Sequence, residues 1–211
     1  GKPCGLMDQT ACACGGFVKI DFKDTENPVA EKIDFDLKSR EHSLFVVNTG
    51  GSHANLTDDY AAIRNEMKQV ASYFNRDVLR ECDEAGFYSN LPAIRTKYGD
   101  RADLRATHFF EENKRVDAQS EALSEGDFER FLSLIAESGD SSALYLQNAY
   151  SVSAPSSQGV TLGVNLARKI LNKTGAARLH GGGFAGTVQA FVPTEKREEF
   201  IKQMTAVFGK N

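Results

Sequence analysis

Two short segments near opposite ends of the chain contain residue types that could form a ligand site. Asp8, in the run Pro3–Gln9, offers a carboxylate, and Gly5 would let a ligand approach the main chain. Near the other end, four glycines imply unusual backbone conformations or a close approach of another group; they are Gly181, Gly182, Gly183 and Gly186. We expect this glycine loop to join two neighbouring strands and to lie close to a helix that carries Asp8.

Each segment also has a purely structural interpretation. Asp8 could be a first-turn helix carboxylate, which stabilises a helix by about 1 kcal/mol. The loop could be a glycine-rich hairpin. It matches the pattern G-x-G-x-x-G, but residues 187–192 alternate between apolar and polar as a strand does, which argues against a dinucleotide site. No Gly-Lys-Ser/Thr follows the glycines, so the pattern is not a P-loop either.

The composition is that of an ordinary globular protein. The chain has 211 residues, of which 41% are hydrophobic and 26% are charged, and a net charge of -4. This charge gives no reason to expect nucleic acid or an acidic membrane as a partner. No apolar run reaches the roughly 20 residues of a membrane-spanning helix. The start at Gly1 resembles the middle of a longer protein, so we expect a missing N-terminal half.

The cysteines and histidines do not have the spacing of a metal site. Cys4, Cys12, Cys14 and Cys82 lack paired C-x-x-C spacing, and the histidines are scattered. We therefore expect no metal ligands in this chain, structural roles for the histidines, and reduced, buried thiols in a cytoplasmic protein.

The order of hydrophobic patterns predicts an α+β fold. Met7–Ala13 suits a short helix, and three segments with strand-like patterns follow, at 17–22, 33–37 and 43–48, which suggest an antiparallel meander. Helical periodicity then begins at Thr57 and recurs in later segments; these are 102–123, 127–138, 142–150 and 158–173. Strands on either side of the glycine loop and a final helix complete the pattern, and the late strands could return to the early ones to form one sheet.

Four segments in this order resemble the signatures of galactokinases, a branch of the GHMP small-molecule kinases. Pro3–Gln9 is similar to their Cys-Gly-x-Met-Asp-Gln segment. The others resemble the helix start with a sugar-contacting tyrosine, a helix with a His, Glu/Asn and Arg-Val pattern, and the third family signature; they are Leu56–Arg64, Arg105–Val116 and Arg178–Val192.

The resemblance implies the GHMP kinase fold and the phosphorylation of galactose at its anomeric hydroxyl by ATP and Mg²⁺. It assigns residues 1–40 to the tail of the N-terminal domain and residues 41–211 to a ferredoxin-like C-terminal domain. It makes Asp8 the catalytic carboxylate and places Gly5 and Tyr60 at the sugar. The loop 181–186 would shape the phosphate region. Phosphoryl transfer depends mainly on positioning and charge stabilisation, so one carboxylate with such supports is chemically sufficient.

The sequence departs from the family in two ways. The signature that anchors the sugar, the phosphate loop and the magnesium-holding residues are absent, so we expect the chain alone to be inactive. Residues 153–159 also replace a Cys-Pro-Glu-type segment of many relatives. Two alternatives stay open, a non-catalytic sensor that binds galactose and ATP, and a kinase for a related sugar such as N-acetylgalactosamine.

Overall fold

A computed structural model describes residues 6–51 and 56–210 of the chain. Gly5, Cys4 and His53 lie outside these ranges. The helices are α1 Met7–Cys14, α2 Thr57–Tyr73, α3 Glu84–Ser89, α4 Leu91–Tyr98, α5 Asp100–Glu125, α6 Phe128–Ser141, α7 Gly159–Leu171 and α8 Arg197–Phe208. The strands are β1 Phe17–Asp21, β2 Val29–Ile33, β3 His42–Asn48, β4 Ala176–Leu179 and β5 Thr187–Pro193.

The strands form two separate antiparallel sheets. β1 pairs with β2, with Phe17 opposite Ile33. The other sheet has the order β3-β5-β4, so the late strands do return to one early strand, β3. The expected single sheet is wrong, because β1 and β2 pair only with each other. The predicted three-strand meander is wrong, because β3 pairs with β5 and not with the hairpin that precedes it.

The second strand is also displaced from its predicted position. The ladder uses Val29–Ile33 and not 33–37. Phe35 and Leu37 alternate because they pack, together with Ile33, against a core cluster that contains Phe131 and Phe191. Their alternation reflected burial on one side and not hydrogen bonding to β1.

Both faces of the three-stranded sheet receive helices. Alternate β5 side chains point to one face, where Val188, Ala190 and Val192 share a core with residues of α7 and α8. Phe191 points to the other face and packs edge-on against Phe131 of α6, with ring centroids 5.3 Å apart. This alternation is what a strand covered on both sides requires. Two side chains of β3 on the α6 face remain exposed, Leu44 at 49% and Val46 at 55%.

A second helical core lies in α2–α5. It contains the buried residues Val70, Leu79, Phe87, Ile94 and Ala106. The sequence patterns did not predict α3 and α4, whose starts are marked by local signals. Asp83 caps α3 by accepting a hydrogen bond from the Gly86 N–H at 2.7 Å, and α4 has a proline in its first turn. The predicted helix at 142–150 is a single π-helical turn, Ser142–Leu146.

The N-terminal elements lie on the outside of this framework. α1 packs against β1 and β2 and has no buried residue. The hairpin is attached to the helices by Phe17, which packs edge-on against Phe131, and by the Lys19–Asp117 ion pair, with 2.6 Å between Nζ and Oδ1. α1, β1 and β2 therefore lack a core of their own.

Candidate functional site

The glycine loop is a hairpin connection between the paired strands β4 and β5. The His180 N–H donates to the Thr187 carbonyl at 3.0 Å, which closes the loop. Gly181, Gly183 and Gly186 all have positive φ. The expectation that the loop joins neighbouring strands is confirmed, and because a strand follows it, the geometry is not that of a dinucleotide fingerprint.

Tyr60, in the first turn of α2, packs directly on this loop. Its hydroxyl donates to the Gly183 carbonyl oxygen at 2.9 Å, and its ring lies edge-on to Phe184 with 5.3 Å between centroids. A Cβ on Gly182 would lie 2.8 Å from Cε1 of the tyrosine, so only glycine fits there without a shift. The structure thus brings together two of the predicted site elements that are far apart in sequence.

Tyr60 is partly buried and lies next to the carboxylate of Asp59. Burial raises the pKa of its hydroxyl, and the neighbouring Asp59 carboxylate raises it further, so the hydroxyl stays protonated as a donor. Asp59 is itself held by Ser151, whose hydroxyl donates to Oδ2 at 2.7 Å. Ser151 is buried, and this bond fixes the start of α2 relative to the segment that precedes α7.

Two further residues support the loop, and the sequence patterns predicted neither. Asn148 donates from Nδ2 to the Gly182 carbonyl at 3.1 Å and accepts the Phe184 N–H on its own carbonyl oxygen at 2.5 Å. Thr49, at the end of β3, donates from both its N–H and its hydroxyl to the Gly186 carbonyl, each at 2.8 Å. Thr49 had a weak signal, because it follows an apolar strand and precedes two glycines. Asn148 had none.

A cleft of about 730 Å³ opens beside the loop. Its walls mix backbone, hydroxyl and apolar groups; they include Thr49, Gly50, Ser151, Ser153, Phe184 and Ala185. This volume lies within the range of small-molecule sites, about 300–1,000 Å³. The mixture of polar and apolar groups suits a small polar ligand.

Asp8 lies in the first turn of α1 and is exposed, at the N-terminal end of the described chain. Its helix packs against β1 and β2. The proximity of Asp8 to the glycine loop stays a prediction, as do the catalytic role of Asp8 and the ligand contact of Gly5.

The segment Arg105–Val116 contributes to a buried polar network behind β4. His108 Nδ1 lies 2.9 Å from the Ser141 hydroxyl, and burial lowers the pKa of its imidazole. Ser138 of α6 donates to Glu112, and Arg178 of β4 donates to Ser138 at 2.5 Å. The network joins α5, α6 and β4, which points to a structural role.

The thiols differ from expectation, since Cys12 is exposed and Cys14 and Cys82 are only half-buried. In contrast, the ring nitrogens of His42 form hydrogen bonds with the carbonyl oxygens of Arg40 and of the distant Thr174, and His180 bonds to the Thr187 hydroxyl, consistent with structural roles. Within 6–51 and 56–210, no group of three His, Cys, Asp or Glu side chains is arranged to hold a metal ion. No helix in those ranges has both the length and the apolar character needed to cross a membrane.

Sequence comparisons relate the chain to galactokinases. No protein-family model matches it. The galactokinase of Mannheimia succiniciproducens is 30% identical over 208 residues, which cover 96% of this chain and 50% of that protein. The galactokinase of Glaesserella parasuis is 28% identical over 216 residues, which cover 100% of this chain and 52% of that protein. The chain thus spans about half the length of the curated relatives it matches.

Solved structures show the same fold. A crystal structure of Lactococcus lactis galactokinase complexed with galactose superposes with a TM-score of 0.67 at 20% identity, covering 90% of this chain and 46% of that one. A crystal structure of L. major mevalonate kinase in complex with R-mevalonate superposes with a TM-score of 0.56 at 19% identity, covering 95% of this chain and 48% of that one.

Proposed function

The chain is homologous to galactokinases over about half of their length, and from this premise we propose that it is the C-terminal portion of a galactokinase. The observation that carries the proposal is the contact between Tyr60 and the loop at Gly182 and Gly183. Two segments that resemble separate signatures of the family meet at one place, beside a cleft of suitable size.

The proposed reaction transfers the γ-phosphoryl group of ATP to the anomeric hydroxyl of galactose. The hydroxyl proton moves to the carboxylate of Asp8, the hydroxyl oxygen bonds to the γ-phosphorus, and the bond to the bridging β–γ oxygen breaks. ADP leaves with that electron pair. Tyr60 and Gly5 would orient the sugar, and the loop would shape the phosphate region. The cytoplasmic location stays a prediction.

The use of magnesium stays part of the proposal. The residues that the structure describes include no group of three or more His, Cys, Asp or Glu side chains arranged to hold a metal ion, and in kinases Mg²⁺ is usually held by one or two carboxylates together with the phosphates of the nucleotide. ATP use is implied by the family, and its phosphates would meet the chain at the loop.

The proposal is tested with the complete polypeptide that contains this chain. We expect ATP turnover that depends on galactose, followed in a coupled assay, and we expect the 211-residue chain alone to give none. Asp8→Asn should abolish most turnover in the complete polypeptide. Glu198→Gln, which changes another exposed carboxylate in a first helical turn, should not.

Three outcomes would count against the proposal. Turnover by the 211-residue chain alone would show that no other part is needed. Galactose and ATP binding without turnover in the complete polypeptide would favour the non-catalytic sensor. Faster turnover with N-acetylgalactosamine than with galactose would favour a kinase for a related sugar.

A further inference from the structure

Asn148 occupies an unusual place in the chain. It follows the π-helical turn Ser142–Leu146, and Gln147 between them has left-handed backbone angles, with φ 58° and ψ 48°. The Gln147 N–H donates to the Ser142 carbonyl at 2.8 Å, five residues earlier, which is the bond of the π-helical turn, and the left-handed Gln147 then ends the helix. π-helical turns occur frequently at functional sites. The residue that follows this helix end is Asn148, which is only 2% exposed.

Asn148 contacts the glycine loop at three consecutive residues, 182–184. Its side-chain amide donates to the Gly182 carbonyl, and its main-chain carbonyl accepts from Phe184. Between these two bonds, a Cβ on Gly183 would overlap the Asn148 carbonyl and lie 2.7 Å from Nδ2. The main-chain bond to Phe184 uses no side-chain atom of residue 148, whereas the amide bond to Gly182 depends on the side chain. A substitution that removes the amide therefore leaves the main-chain bond alone to oppose opening of the loop at Phe184.

The oxygen of the same side-chain amide, Oδ1, lowers the stability of the fold. Among the residues described, no partner bonds the buried Oδ1 of Asn148. A buried polar atom without a partner is destabilising, so the asparagine is a poor choice for stability alone. The Nδ2 bond to the loop is the compensating feature, because it holds Gly182, the residue on which an added Cβ would meet the Tyr60 ring.

We propose that Asn148 is a positioning residue that, together with Tyr60, holds the glycine loop in the shape that phosphoryl transfer needs. The expected effect of Asn148 on kcat rests on the proposed function, whereas its expected effect on the opening of the loop does not. Tyr60 fixes Gly183 through its hydroxyl, and Asn148 fixes Gly182 through its amide. The loop would thus be clamped between α2 and the end of the π-helical turn.

The test compares Asn148→Ala with Asn113→Ala. Asn113 also donates its amide to a carbonyl, that of Phe109 at 2.8 Å, but does so on the surface of α5. Hydrogen exchange of the 211-residue chain reports loop opening without any need for activity. We expect Asn148→Ala to speed exchange of the Phe184 amide at least about tenfold, and Asn113→Ala to leave it unchanged.

Kinetics in the complete polypeptide supply the second readout. Asn148→Ala should lower kcat about 3- to 10-fold with a small change in KM for galactose, because one neutral hydrogen bond is lost. The melting temperature should move little, since the unpaired Oδ1 is removed with the amide. Asn148→Asp places a carboxylate against the Gly182 carbonyl, so its activity should recover as pH falls and the acid can donate.

The outcomes separate this inference from the proposed function. Unchanged Phe184 exchange in Asn148→Ala overturns the clamp, whatever the activity. A large fall in melting temperature with kcat and KM unchanged overturns the positioning role and leaves a structural one. If the wild-type polypeptide shows no galactose-dependent turnover, the proposed function fails, while the exchange experiment still decides whether Asn148 holds the loop.

Discussion

Alanine substitutions at neighbouring loop glycines should differ sharply in cost, because their surroundings differ. Gly181 has φ +69° and no heavy atom within 4 Å of an added Cβ. Gly183 has φ +77°, and an added Cβ would overlap the Asn148 carbonyl and lie 2.9 Å from its Cγ. Both substitutions force alanine into left-handed backbone. Only Gly183→Ala also forces two main-chain segments apart.

The expected loss in the free energy of unfolding has two contributions, left-handed backbone and overpacking. Left-handed backbone costs a non-glycine residue about 1–2 kcal/mol, which is the whole expected effect of Gly181→Ala. Overpacking adds about 1–3 kcal/mol, so Gly183→Ala should cost about 2–5 kcal/mol in total. For a chain of this length, each kcal/mol lowers the melting temperature by about 2–4 °C.

The assay is thermal and urea unfolding of the 211-residue chain, followed by circular dichroism. Gly182→Ala extends the series, because its added Cβ would meet the Tyr60 ring at 2.8 Å. Its cost should be relieved by Tyr60→Ala in a double-mutant cycle and not by Tyr60→Phe, which keeps the ring. Equal stability losses for Gly181→Ala and Gly183→Ala would refute the close approach of the loop to Asn148.

Three further results are expected. Tyr60→Phe should destabilise the chain by about 1 kcal/mol in urea unfolding, because the Gly183 carbonyl loses its donor, whereas Tyr150→Phe at the surface should have no effect. Asp8→Ala in the complete polypeptide should lower kcat by about 10²–10⁴-fold and weaken galactose binding far less; near-normal kcat would leave Asp8 a helix-stabilising residue. Burial lowers the pKa of the His108 imidazole in the folded chain, whereas in the unfolded chain the imidazole has its ordinary pKa of about 6.5. The unfolded chain therefore binds more protons as pH decreases from 7 to 5, and the stability of the fold should fall over that range. In His108→Asn the contribution of this imidazole to the fall should vanish, so the same dependence of melting temperature on pH in both proteins would contradict the reasoning.

Hydrophobic patterns and the glycine loop predicted most of the elements that position the site and the pairing of β4 with β5, but not how the early strands pair. Phe35 and Leu37 show why, because side chains can alternate into a core without a hydrogen-bonded neighbour. β3 shows the second reason. Its partner β5 lies far along the chain, and periodicity in one strand contains no information about which strand it joins.

The residues of the site that lie in recognisable sequence motifs were predicted, and those that lie outside such motifs were not. Tyr60 and the glycine loop were found from separate motifs, and the structure brings them into contact. Asn148 was missed because its role depends on a π-helical turn and a left-handed Gln147, neither of which has a sequence pattern. The placement of Asp8 relative to the loop stays a prediction.

The edge position of β3 has a consequence for handling the chain. Within the described ranges, β3 bonds to β5 on one side and to no strand on the other, and Leu44 and Val46 stand exposed on it. Residues 44–47 contain neither charge nor proline, so the strand can template pairing between copies and promote aggregation. A Val46→Lys substitution would add a gatekeeper charge there without touching the loop, and should keep concentrated samples monodisperse.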